Sequence, residues 1–248
     1  LYLSIAEDLF KQVKRNRPAA SEELLETIKS CWPLHPVVAF LLGPISKKRF
    51  GQSQRSLFAF LNSPEPKGFQ DFIKNPYDEN LFYTPAMFWD YLKTNLEASI
   101  LASTDGHRWA LTVDALDRCE TLNGTSLQIE ILKTVSILDF VKEHSVNARR
   151  ELLYTCFPNE PKDAIDEAIA QLQKMSLIVF RHHSSSFGIY AGSDFDIEEA
   201  MRLALAEVNS IDFAALKEIA GMNPILAKRF YHETGSMFWL ELELCPLE

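Results

Sequence analysis

Six polar side chains around Gly51 are of types, and at spacings, that could do chemistry. Lys47, Lys48, Arg49, Gln52, Gln54 and Arg55 fall where two expected helices meet, beside apolar faces built from Leu41, Leu42, Leu57, Phe58 and Leu61. Cations gathered at a helix start and backed by a core suit the holding of an anion such as a phosphate. Arg55 stands one turn into the second helix. Its guanidinium is always charged and forked, so it can reach a nucleotide's terminal phosphates from a helical lid. Gln54 and Arg49 accompany it. His35, between Pro33 and Pro36, can set an imidazole against an adenine or a backbone carbonyl. Each has a plainer alternative: a solvated face for Arg55, complementation of the helix dipole for Lys47–Arg49, and a satisfied helix-stop histidine for His35. The chain has no G-x-x-x-x-G-K-[ST] loop to cradle phosphates. It therefore carries an accessory part of such a site without the main part.

Other constellations read as structural. Asp194 and Asp196 form a carboxylate pair with no third acid nearby, and helix capping accounts for both. Arg181-His182-His183 reads as a solvent-facing hairpin strand, with a nucleic-acid contact as the alternative. Glu120, Glu130 and Glu143 form no catalytic pattern. Cys31, Cys119, Cys156 and Cys245 are scattered, with no C-x-x-C, which argues against a zinc site or a disulfide framework. They read as buried or idle thiols in a reducing cytosol. No catalytic residue, metal or cofactor is expected for the chain by itself.

Composition narrows the classes further. The net charge of −9 argues against a general nucleic-acid or membrane-surface binder. No apolar run approaches a membrane span, and Glu7, Asp8 and Lys11 interrupt any signal-peptide pattern. The expected location is cytoplasmic. The chain opens inside an amphipathic segment without a Met, which reads as a fragment, and Leu247-Glu248 reads as a cloning remnant.

Helical elements must position these residues. The pattern predicts helices at Leu3–Lys14, from Ser21, from His35 to about Phe50 with a break at Pro44, and from Gln52 to Leu61. Further helices are predicted at Phe69–Ile73, from Thr84-Pro85, and at Asp105–Arg118 before the Leu122–Gly124 breaker. After Ser126 the chain becomes strongly apolar. Helices at Leu127–Val141, Asn147–Cys156 and Lys162–Lys174 precede two β-prone runs joined by Ser184–Ser186. That is the order of a winged helix. The polar face of Lys162–Lys174 carries Asp163, Asp166 and Glu167 where a DNA reader would place cations. The module is therefore expected to contact protein, and nucleic acid is not an expected partner. Helices at Asp196–Val208, Asp212–Gly221 and Ile225–Glu233 follow, and Ser236–Leu244 alternates like a strand with no partner in the chain.

Three stretches resemble a known family. Pro33-Leu34-His35-Pro36 with Arg49–Leu61 is similar to a "PLHP … RFGQNERSLFSFL" segment of large bacterial AAA+/STAND-like P-loop ATPases. Phe187–Asp196 is similar to their "YRIWEGSDFD", and Arg229–Met237 to their "RHYYETGTLR". Phe238 stands where that pattern has an arginine. The resemblance implies a lid and helical region followed by a winged helix, with Arg55 as a sensor-type arginine. It also implies ATP and Mg²⁺ in the parent, and an upstream P-loop ATPase domain of the same chain as the main partner, besides other proteins.

The fold expected is mainly α, a helical lid-like bundle followed by a winged helix with a small β-hairpin. The domains expected are 1–124, lid-like; 125–208, winged helix; and 209–248, a helical extension. The function expected is the non-catalytic regulatory C-terminal portion of a multidomain ATPase. The rivals are a winged-helix DNA-binding regulator and an interaction scaffold without a nucleotide link.

Overall fold

A computed structural model describes residues 1–48, 59–74, 82–141, 146–182, 184–191 and 212–244. The fold is mainly helical, and among the described residues the only sheets are two small two-stranded antiparallel ones. It divides into two units, Leu1–Gly192 and Ser193–Glu248. Arg49, Gln54, Arg55, the Asp194/Asp196 pair, the helix expected at Asp196–Val208 and Cys245 lie outside the described residues.

The first unit begins with α1 (Tyr2–Asn16), α2 (Glu22–Lys29) and α3 (Pro36–Ser46). The Pro18 segment follows α1, which buries Ile5, Leu9, Phe10 and Val13 on one face. Helix α3 runs through Pro44 and ends at Ser46, four residues short of the expected end, with Lys47 as its C-cap. Residues 59–62 are helical, and α4 (Phe69–Lys74) follows. Helix α5 (Pro85–Leu101) starts as its sequence dictates. Thr84 Oγ1 accepts from the Met87 N–H at 3.2 Å, and Pro85 occupies the first turn, where its missing N–H costs nothing. Then come α6 (Gly106–Thr121), α7 (Ser126–Val141), α8 (Arg150–Cys156), α9 (Lys162–Lys174) and the hairpin β1 (Ile178–Arg181)–β2 (Ser186–Ile189).

Helix α7 is the axle. It packs on α5 and α6 on one side and on α9 and β2 on the other. This explains its composition: a helix packed over most of its surface is apolar over most of it, Glu130, Lys133 and Asp139 being its charged residues. Ile131, Leu132, Val135, Ile137, Leu138 and Phe140 are all buried. Trp89 of α5 stacks on Trp109 of α6 at 5.6 Å, and Trp109 meets the edge of Phe140 at 5.2 Å. The core consequently runs without a gap from Leu9 to Ile189. Helix α7 serves both the helices before it and the hairpin after it.

The second unit holds α10 (Phe213–Ile219), β3 (Ile225–Leu226), α11 (Lys228–Thr234) and β4 (Trp239–Leu240). Asp212 caps α10, its carboxylate accepting from the Ala214 and Ala215 N–H groups. Two expectations are corrected here. Ile225 and Leu226 are a strand, so the helix starts at Lys228. The tail does have a partner: Trp239 and Leu240 pair antiparallel with Leu226 and Ile225. The cause is local. Pro224 disfavours helix before β3, and Gly235, left-handed at φ 70°, ends α11 and turns the chain back.

Candidate functional site

Of the residues singled out around Gly51 and at His35, the described ones are His35, Lys47 and Lys48, at the two ends of α3. At its start, His35 is held by a short backbone ladder: its N–H donates to Tyr83 O at 3.0 Å, and the Tyr83 N–H donates to Pro33 O at 2.9 Å. The ring is fully buried. Nδ1 accepts from the Val37 N–H at 3.2 Å, which caps the helix. The neutral ring must then carry its proton on Nε2, which donates to Thr155 O of α8 at 3.3 Å. Burial pushes the pKa down to about 4, because the charged form cannot be solvated there. His35 is a neutral tie between α3 and α8, and both ring nitrogens are used inside the chain.

At the other end, Lys47 is exposed and Lys48 is not free. The Lys48 ammonium lies 3.1 Å from Asp105 and 4.8 Å from the centre of the Phe140 ring, and its side chain is only 16% exposed. Asp105 also faces Arg108 at 3.5 Å. The last described residue before Arg49–Arg55 is thus fastened to the start of α6 and to α7. The adjacent residue of α7, Asp139, grips the hairpin. It forms a two-pronged pair with Arg181, the Nη2 prong at 3.1 Å, and accepts from the Ile189 N–H at 3.1 Å. Its side chain is 8% exposed. Gly188 lies against this guanidinium: a Cβ there would stand 2.3 Å from Arg181 Cζ. One helix step on α7 therefore connects the basic segment to the hairpin.

Asp166 and Gln171 on the polar face of α9 are engaged within the chain. Asp166 accepts from the Tyr154 hydroxyl at 2.7 Å and pairs with Arg150 at 3.0 Å. Lys162 sits over the Tyr154 ring at 5.3 Å, and Gln171 bonds Gln128 of α7 and Glu167. Lys162, Asp163, Glu167 and Lys174 of that face are exposed.

Sequence reasoning missed a groove of about 500 Å³ beside α5, with Trp89 in its wall and Lys67, Asp90, Lys93, Glu97, Glu120 and Lys133 around it. Lys133 pairs with Asp90 at 2.9 Å, and Lys93 with Asp117 at 3.8 Å. Both ammoniums also lie within 6 Å of the Trp89 ring. Three cations against three acids do not make an anion hole. No pattern at helical spacing could have revealed the groove, since its residues come from four separate segments.

Among the described residues no three His, Cys, Asp or Glu side chains converge as metal ligands. Burial raises the thiol pKa of Cys119 and Cys156, so neither is poised as a nucleophile. No helix among the described residues is long and apolar enough to cross a membrane. Comparison with protein families, with curated proteins and with solved structures finds no match to this chain.

Proposed function

We propose that this chain is the regulatory, non-catalytic portion of a larger P-loop ATPase, in which Arg49–Arg55 senses bound nucleotide and α7 relays that state to a winged-helix module. One observation carries the relay. Lys48, directly before the sensing segment, is fastened to Asp105 and Phe140, and Asp139 beside Phe140 holds Arg181 and the Ile189 N–H. A shift of the segment that pulls on Lys48 acts on α7 one residue from the hairpin clamp. The phosphate loop is absent from the sequence, so an upstream domain would hold ATP and Mg²⁺, with Arg55 reaching the terminal phosphates.

The test compares the chain with its parent. The isolated chain should not turn over ATP. Arg55→Ala should leave its melting unchanged while lowering turnover of the parent roughly tenfold, the equivalent of about 1.4 kcal/mol. Lys48→Met in the parent should uncouple nucleotide from amide exchange at Ile178–Ile189. An upstream reading frame without a phosphate loop sinks the proposal outright, and unchanged turnover in a well-folded Arg55→Ala parent removes the sensing role.

A further inference from the structure

After β4 the chain continues past the end of β3. Ile225 and Leu226 pair with Leu240 and Trp239. The residue before β3 is Pro224. Before it the chain turns away, the Asn223 N–H donating to Gly221 O at 2.9 Å. Glu241–Leu244 therefore pass beyond the ladder, and their backbone groups make no hydrogen bond among the described residues.

The sequence of this overhang is specific. Leu240-Glu241-Leu242-Glu243-Leu244 alternates strictly after Trp239, and on an extended strand alternate residues face opposite sides. Leu240, Leu242 and Leu244 form one row; Trp239, Glu241 and Glu243 form the other. Leu240 and Leu244 are exposed, as are both acids, and neither acid meets a cation among the described residues. An open, apolar strand edge in water is a template for another strand, and proteins ordinarily blunt it.

We propose that Trp239–Leu244, strand β4 and the four residues that follow it, is a docking edge for an extended segment of a partner protein in which lysine or arginine alternates with apolar residues. Such a segment adds a strand through backbone bonds, lays its apolar side chains along the leucine row, and sets its cations opposite Glu241 and Glu243. Charge decides against a second copy of this chain. Two such strands with leucine rows aligned would bring acid against acid, and like charges directly opposite destabilise a pair. The proposal does not depend on the nucleotide reading.

The probe is a short capped peptide of alternating valine and lysine, with a valine–glutamate peptide as control. Binding to the full chain is read by Trp239 emission and by amide exchange at Glu241–Leu244. The lysine peptide should bind at least roughly tenfold more tightly than the glutamate peptide and slow exchange over those residues. Glu241→Lys combined with Glu243→Lys should reverse the preference. Leu242→Pro should abolish protection while leaving the melting of the chain unchanged. Protection that grows with protein concentration in the absence of peptide, together with a dimer by light scattering, assigns the edge to a second copy and overturns the proposal. Equal binding of the two peptides, or no protection with either, overturns it as well.

Discussion

In hairpin β1–β2 every residue of the inner strand is buried, and its outward N–H groups are closed: Phe187 donates to Ala148 O and Ile189 to Asp139. In hairpin β3–β4 the strands have two residues each, no described residue of 212–244 is buried, and the overhang beyond Leu240 is open. An isolated hairpin is marginal in water. The first is made structural by a core face on α7 and by edge caps. The second has neither, and Ile219, 82% exposed, and Trp239, 54% exposed, stand in solvent beside it. The difference is one of support: β1–β2 is covered by its own chain, and β3–β4 has no buried face among the described residues.

Breaking the clamp should show the largest effect. Asp139→Ala strands the Arg181 guanidinium and the Ile189 N–H. It should cost about 3 kcal/mol, or roughly 10 °C in Tm, measured by thermal and urea unfolding. A loss under about 1 kcal/mol would mean that α7 packing alone holds β1–β2.

Acidification should weaken the first unit through His35. Its folded pKa of about 4 lies below the ordinary histidine value of 6.5, so the unfolded chain takes up the proton first. The contribution is complete above pH 6.5 and is lost as pH falls toward 4, by on the order of 3 kcal/mol. Glu130, its carboxyl raised by burial, acts in the opposite sense in its own window. The comparison is therefore between the native chain and His35→Asn, which can still cap α3 but should lose this slope. Equal slopes in the two would remove His35 as the cause.

Lys48→Met keeps the stem against Phe140 and removes the pair with Asp105. It should cost about 1 kcal/mol and leave the β3–β4 region unaffected. The smallest effect belongs to the open edge. Leu242→Pro should change stability by less than about 0.5 kcal/mol, since no hydrogen bond is lost. A clear loss of stability there would show that the overhang is structural after all.

Much of the fold was legible because local chemistry and packing agree. Thr84-Pro85, the heavily apolar Leu127–Val141 run and the serine turn before Phe187 each announce their element, and α9 has the bounds its pattern predicts. The Ile225–Glu233 segment misled, because two apolar residues after a proline fit a short strand as well as a first helical turn, and only pairing decides. The candidate site was less legible. Lys48 looks like one of several loose cations in sequence, and its partners Asp105 and Phe140 are 57 and 92 positions away. Asp139 and Arg181 carry no motif at all. Long-range ion pairs depend on which helices the core brings together, and no periodicity encodes that.

The stacked indoles have a practical consequence. Trp89 and Trp109 lie 5.6 Å apart and 19° from parallel, close enough for their transitions to couple, and both are buried. Trp32 and Trp239 are the other two indoles of the chain, and both are exposed. The protein thus carries two separate optical channels. Near-ultraviolet dichroism follows the α5–α6–α7 interior through the coupled pair. Iodide, which cannot enter that interior, dims only the outer two, and substituting Trp32 by phenylalanine leaves Trp239 alone to signal whatever settles on the open strand.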